Sequence, residues 1–311
     1  MKTCPKCGGS YADDASACPK DGATLHAADE PALEIFLPEF EDSVPAPTPA
    51  KKSKASPAQA DADYQQAAKF EKGLGVTQDY AEALKLYRRA AEAGHTSAQV
   101  ALGNMCLFGQ GMPENHTEAV RFYGMAAEAG DVAGQHNLAT MYDRGRGVPQ
   151  DPATALQWYH RAAKQGYAPS QYNLGVMYRK GSGVERDDAE GTRWYRKAAE
   201  QGDSQAQNIL GYMYLVGDGV TVDHAEAMRW LQKAALQGEA DAIFNVGYMH
   251  SKGIGVPANR AEAFAWYLLA GQYGKQNAVP LCVEFMPKMS PVELMHAQRR
   301  VQELAAQIKK K

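Results

Sequence analysis

No apolar run in the sequence approaches the roughly 18 residues that a membrane-spanning helix requires, so no bilayer span is expected. Charge of one sign is also lacking: 33 basic and 36 acidic residues leave a formal charge of -3. That balance argues against a broad phosphate-binding surface and makes nucleic acid an unlikely general partner. Behind Met1-Lys2-Thr3-Cys4 there is no apolar core of a secretory signal, which points to a cytoplasmic location. Cysteine is scarce, five in 311 residues, an odd number with three of them in the first 18. A disulfide framework is therefore not expected, and in a reducing compartment the clustered three read better as metal thiolates. No Ser-x-x-Lys constellation, zinc-protease motif or phosphate-cradling loop stands out, and the eight histidines are scattered. No nucleophile–base pair can be assembled, so the chain is not expected to be an enzyme.

Glycine, by contrast, is abundant and in register. Gly73, Gly109, Gly145, Gly181, Gly217 and Gly253 stand 36 residues apart, and Gly75, Gly111, Gly147, Gly183, Gly219 and Gly255 keep that stride. A third column runs Gly94, Gly130, Gly166, Gly202, Gly238 and Gly274. Since 18 of the 29 glycines fall in these columns, they mark turns between stacked units and not disorder.

Each unit reads as two helices. The second opens at Asp79, Asn115, Asp151, Asp187, Asp223 or Asn259, side chains that cap orphan backbone N–H groups. Glu82, Glu118, Glu190, Glu226 and Glu262 follow three residues later, so five of six units are expected to form a capping box. Within this helix Tyr87 recurs as Tyr123, Tyr159, Tyr195, Leu231 and Tyr267. Beside it run Leu86, Phe122, Trp158, Trp194, Trp230 and Trp266, an aromatic column expected in the core. The first helix carries Leu102, Leu138, Leu174, Leu210 and Val246, then Met105, Met141, Met177, Met213 and Met249. Gly103, Ala139, Gly175, Gly211 and Gly247 keep one position small, as close helix packing would demand.

The strings Tyr172-Asn173-Leu174-Gly175-Val176-Met177-Tyr178, Gly181-Ser182-Gly183-Val184 and Trp194-Tyr195-Arg196-Lys197-Ala198-Ala199-Glu200-Gln201-Gly202 resemble the Sel-1-like repeat family. The resemblance covers six units over residues 61–275. It implies an all-α, right-handed superhelix related to tetratricopeptide repeats, whose concave face of first helices binds other proteins. Some cysteine-rich bacterial members are described as β-lactamases, with a Cys pair in each unit. Here the repeats hold only Cys106 and Cys282, which leaves a hydrolase a distant third reading.

After the sixth unit, residues 276–311 read as a broken seventh repeat followed by a capping helix. Pro287 stands where a turn is due, and Ser290-Pro291-Val292-Glu293 opens the last helix. Residues 1–26 read as a small zinc ribbon. Cys4 and Cys7 are spaced as a zinc knuckle and Cys18 begins a second one, with Asp21 where a fourth Cys would be. Asp21 or His26 would complete a closed, structural Zn²⁺ site. Residues 27–60 read as a linker, acidic and apolar over 29–42, then Pro/Ala/Lys-rich and extended from Val44 to Ala58.

For partners, the first helices offer Asn137, Asn173 and Asn245, each followed seven residues later by Arg144, Lys180 or Lys252. Two helical turns bring each pair to one face. There Asn could read a peptide backbone while the base meets carboxylates. The functional expectation is a scaffold holding a protein or peptide in its groove, its own segment 29–42 being one possible ligand. The alternative is a zinc-ribbon regulator associated with nucleic acid or the ribosome.

Overall fold

The chain divides into two units, residues 1–48 and 49–311. The computed structural model describes residues 56–309 and, in the first unit, the backbone of three two-residue strands. These are β1 (Lys2–Thr3), β2 (Ser10–Tyr11) and β3 (His26–Ala27), antiparallel in the order β2-β1-β3. Cys4, Cys7, Cys18 and Asp21 lie outside the described residues, as does the acidic segment 29–42; of His26 only the backbone is described.

The second unit is a stack of helix pairs: α1 (Pro57–Lys72) with α2 (Tyr80–Glu92), and α3 (Thr96–Phe108) with α4 (His116–Glu128). Then come α5 (Val132–Arg144) with α6 (Pro152–Lys164), and α7 (Ala168–Lys180) with α8 (Asp188–Glu200). The array continues with α9 (Ser204–Val216) and α10 (His224–Ala235), α11 (Ala240–Lys252) and α12 (Arg260–Gln272), then α13 (Val279–Phe285) and α14 (Pro291–Lys309). Helix α1 begins inside the expected linker because Ser56 caps it and Pro57 takes the first helical position. From α1 to α12 the two helices of each pair pack on one another, and each second helix packs on the next unit's first helix. Successive first helices, α3 with α5 and α9 with α11, also approach one another, which puts the first helices on the inside of the curve.

Local chemistry sets the boundaries as expected, with one correction. All six Asp or Asn residues at the second-helix starts accept backbone N–H bonds, as Asp151 does from Ala153 and Thr154. The reciprocal half of the capping box does not form there. The cap's own N–H is already committed to the preceding helix, Asp151 N–H to the Tyr142 carbonyl and Asp187 N–H to that of Tyr178. The glutamates turn instead to bases, Glu118 to Arg121 at 2.9 Å and Glu190 to Arg193 at 2.7 Å. Only at α14 is the box reciprocal, with Glu293 accepting from Ser290 N–H and returning its own N–H to Ser290 Oγ.

The predicted Leu, Met and Tyr columns are the core, whereas in the aromatic column beside them Phe122 and Trp158 are only half-buried. The Leu and Met columns of the first helices are at most 4% exposed, and the Tyr column of the second helices likewise. Burying one such side chain contributes about 1.5–3 kcal/mol. The small column exists because the Tyr ring lies flat upon it: a Cβ at Gly175 would sit 2.6 Å from the Tyr195 ring.

A polar column crosses this core unannounced. Gln99, Gln135, Gln171 and Gln207 are at most 5% exposed. Each donates to a carbonyl at the end of the preceding second helix, Gln171 to Ala163 at 3.2 Å. Three also accept from a glutamine ending their own unit's second helix: Gln165 to Gln135, Gln201 to Gln171 and Gln237 to Gln207. One buried amide thus ties three helices. At Gln99 the series breaks, since Ala129 stands where that donor would be and Gln99 Oε1 is buried without a partner. An unpaired buried acceptor costs about 1–3 kcal/mol. Ala129→Gln should therefore raise stability by about 1 kcal/mol in urea titrations; an unchanged midpoint would show that the acceptor finds its donor elsewhere.

The seventh unit stops after its first helix. Helix α14 folds back onto α12, where Ala297, Leu304 and Ile308 join the core and Arg300 meets Glu262 at 2.9 Å. It caps α12 and leaves one side of α13 open, with Val279, Val283 and Met286 about half exposed or more.

Candidate groove of first helices

The inner face is built by positions that recur on every first helix. In α7 these are Tyr172, Asn173, Val176 and Lys180, spaced to share one stripe. The predicted bases Arg144, Lys180 and Lys252 are exposed at the ends of α5, α7 and α11, and none enters an ion pair among the described residues. The predicted Asn137, Asn173 and Asn245 are half-buried one stripe earlier. Seven residues of helix separate each Asn from its base by about 10 Å of rise, so the two share a face without touching.

The Asn residues differ in what they meet. Asn173 is turned to the phenol of Tyr159 in the preceding unit. Burial pushes that phenol up to about 12, while hydrogen bonds with Thr140 and Asn173 pull it back. Asn245 lines a cavity of about 340 Å³ across α7, α9 and α11. A second cavity, about 380 Å³, opens between α1, α3 and α5 and includes Lys72, Glu71 and Asn104.

Under the groove the Tyr hydroxyls pin the first helices. Tyr87 donates to Glu71 at 2.6 Å, Tyr123 to Asn104 at 2.7 Å, and Tyr159 bonds to Thr140 at 2.9 Å. A ring on the first helix packs against that Tyr in four units: Tyr64, His136, Tyr172 and Phe244. Among the described residues, no group of three or more His, Cys, Asp or Glu side chains could hold a metal ion. No helix there is long and apolar enough to cross a membrane. Cys106 and Cys282 are buried free thiols, and burial pushes the Cys282 thiol up to about 11.

This geometry, first helices inside and GxG turns between paired helices, is matched by a family profile described as Sel1 repeat. It covers residues 66–95, 96–131, 132–167, 168–203, 204–239 and 240–272, two thirds of the chain. The chain belongs to the Sel1 repeat family. A Sel1 repeat protein from Oxalobacter formigenes superposes with a TM-score of 0.69 at 36% identity, covering 74% of this chain and 66% of that one. A protective antigen of uropathogenic Escherichia coli displaying the same fold gives 0.55 at 32% identity, covering 79% and 61%. An uncharacterised protein of Neisseria meningitidis serogroup B is 53% identical over 47 residues, 15% of this chain. That stretch spans only 10% of the Neisseria protein's length, and the chain covers just under two thirds of each of the two structures. Sel1 proteins are generally protein-interaction scaffolds and typically not enzymes.

Proposed function

We propose that this Sel1 array is a scaffold that holds a protein partner by an extended segment in the groove of its first helices. The observation that carries the reading is the column of exposed bases, Arg144, Lys180 and Lys252, along one face of α5, α7 and α11, none of them in an ion pair among the described residues. Carboxylates of a ligand can pair with these bases, and bases arranged in this way steer and orient an acidic segment. Asn137, Asn173 and Asn245 stand beside them, where an amide can both donate to and accept from a peptide backbone.

The test is affinity capture with the whole chain and with the variant carrying Arg144→Glu, Lys180→Glu and Lys252→Glu. The variant should fold, because the three side chains are exposed. It should lose its specific partners at least tenfold, and salt should weaken the wild-type complexes in parallel. An unchanged set of partners would refute the groove as the docking face.

A further inference from the structure

Unit 5 departs from its neighbours at four positions in or under the groove, 208, 209, 216 and 231. Leu231 replaces the buried Tyr, and Asn208 stands where four other units place a ring. With no phenol beside it, Asn208 Oδ1 is buried without a hydrogen-bond partner, at the wall of the 340 Å³ cavity. Ile209 takes the place of the groove Asn, and Val216 that of the groove base. Tyr212 is 49% exposed, Val216 48%, and Tyr248, the equivalent of Tyr212 in unit 6, 38%. Among the described residues these three belong to the few large apolar side chains left in water, and they are neighbours in the repeat lattice. Lys180 and Lys252 occupy the equivalent of Val216 in the units on either side. Two ion pairs rim the cavity, Arg179 with Asp218 at 2.6 Å and Lys275 with Asp241.

We propose that this patch is the specificity site of the groove, taking a peptide segment whose apolar or aromatic residue is bracketed by carboxylates. The reading rests on the groove function above. The apolar side chain lies on Tyr212, Val216 and Tyr248; the flanking carboxylates reach Lys180 and Lys252. Charge complementarity sets the ligand's acids, and the break in the base column sets the apolar residue between them.

The probe is a fluorescein-labelled dodecapeptide with a Glu-Glu-Phe-Leu-Glu-Glu centre, titrated by anisotropy into the full chain. Two controls carry Ala-Ala for Phe-Leu, or Lys for Glu. Both controls should bind at least tenfold more weakly, and so should the probe to Tyr212→Ala, to Lys180→Glu or to Lys252→Glu. Lys85→Glu, an exposed base on the second helix α2 and outside the groove column, should leave the affinity within twofold. Equal binding of the Ala-Ala control would reveal attraction by charge alone and overturn the proposal, as would undiminished affinity in Tyr212→Ala. So would no binding of the probe at all. Should Tyr212→Ala keep the natural partners that the triple reversal loses, the specificity site fails while the groove function stands.

Discussion

Gly183→Ala should cost the array about 3 kcal/mol, whereas Gly75→Ala should cost about 1 kcal/mol. Both glycines have φ of +72°, where a Cβ is strained. They differ in what the Cβ would meet. At Gly75, in the first unit, there is nothing within 4 Å. At Gly183 the Cβ would fall 2.4 Å from the Pro152 carbonyl oxygen, at the start of the preceding unit's second helix, and at Gly147 equally close to that of His116. Backbone cannot swing aside as a side chain can, so the interface between units must open. Urea titration of the two variants in parallel isolates this contact, since the backbone strain is common to both. Equal losses would mean that the second glycine of the turn serves only its own φ.

Acidification from pH 6.5 towards 4 should destabilise the array by up to about 3 kcal/mol for each of two histidines, His160, which is buried, and His136, which is partly so. His160 bonds Tyr178 at 2.9 Å and packs edge-on against Trp194; burial first, then the charges of Lys164 and Lys197, pulls its pKa down to about 4. His136 bonds Ser170 at 2.9 Å and is likewise held at about 4, by burial and then by Arg144. Unfolded histidines titrate near 6.5, so below that pH the unfolded chain binds more protons than the folded one. Stability is therefore fully present above pH 6.5, falls as pH drops towards 4, and changes little further from these two groups below it. Urea midpoints between pH 7 and 4.5 should follow that slope, and the His136→Gln, His160→Gln double variant should flatten most of it. A double variant as pH-sensitive as the wild type would place the protons elsewhere.

The stride of 36 was legible because the turns need residues free to adopt positive φ, and all 18 column glycines do. The Leu, Met and Tyr columns were legible as core for the same reason of regular spacing. Features that depend on two elements meeting were not. Glu82 and its equivalents look like capping-box partners until the preceding helix is seen to take the cap's N–H. Gln135 and Gln171 read as interruptions of an apolar face, and only the neighbouring helix ends show what they bond. Helix α1 was begun too late because Ser56-Pro57 was absorbed into a Pro-rich stretch. For the groove, the exposure of Arg144, Lys180 and Lys252 followed from the repeat, but Asn173's turn towards Tyr159 did not, since that phenol belongs to another unit. The departure of unit 5 was visible residue by residue, in Asn208, Ile209, Val216 and Leu231, yet acquired meaning only when one cavity was seen to be lined by Asn208, Ile209 and Tyr212.

The glutamine bridges also determine how motion spreads. They are complete in units 3, 4 and 5, missing a donor at Gln99, and absent where Ile243 takes the column in unit 6. A linear array behaves as a chain of nearest-neighbour couplings. Opening a boundary at a complete bridge breaks the bond to the preceding helix and loosens the amide that holds the next. The middle of the array is therefore its stiff segment and the two ends its compliant ones, so changes of curvature concentrate at the ends while the centre keeps its register.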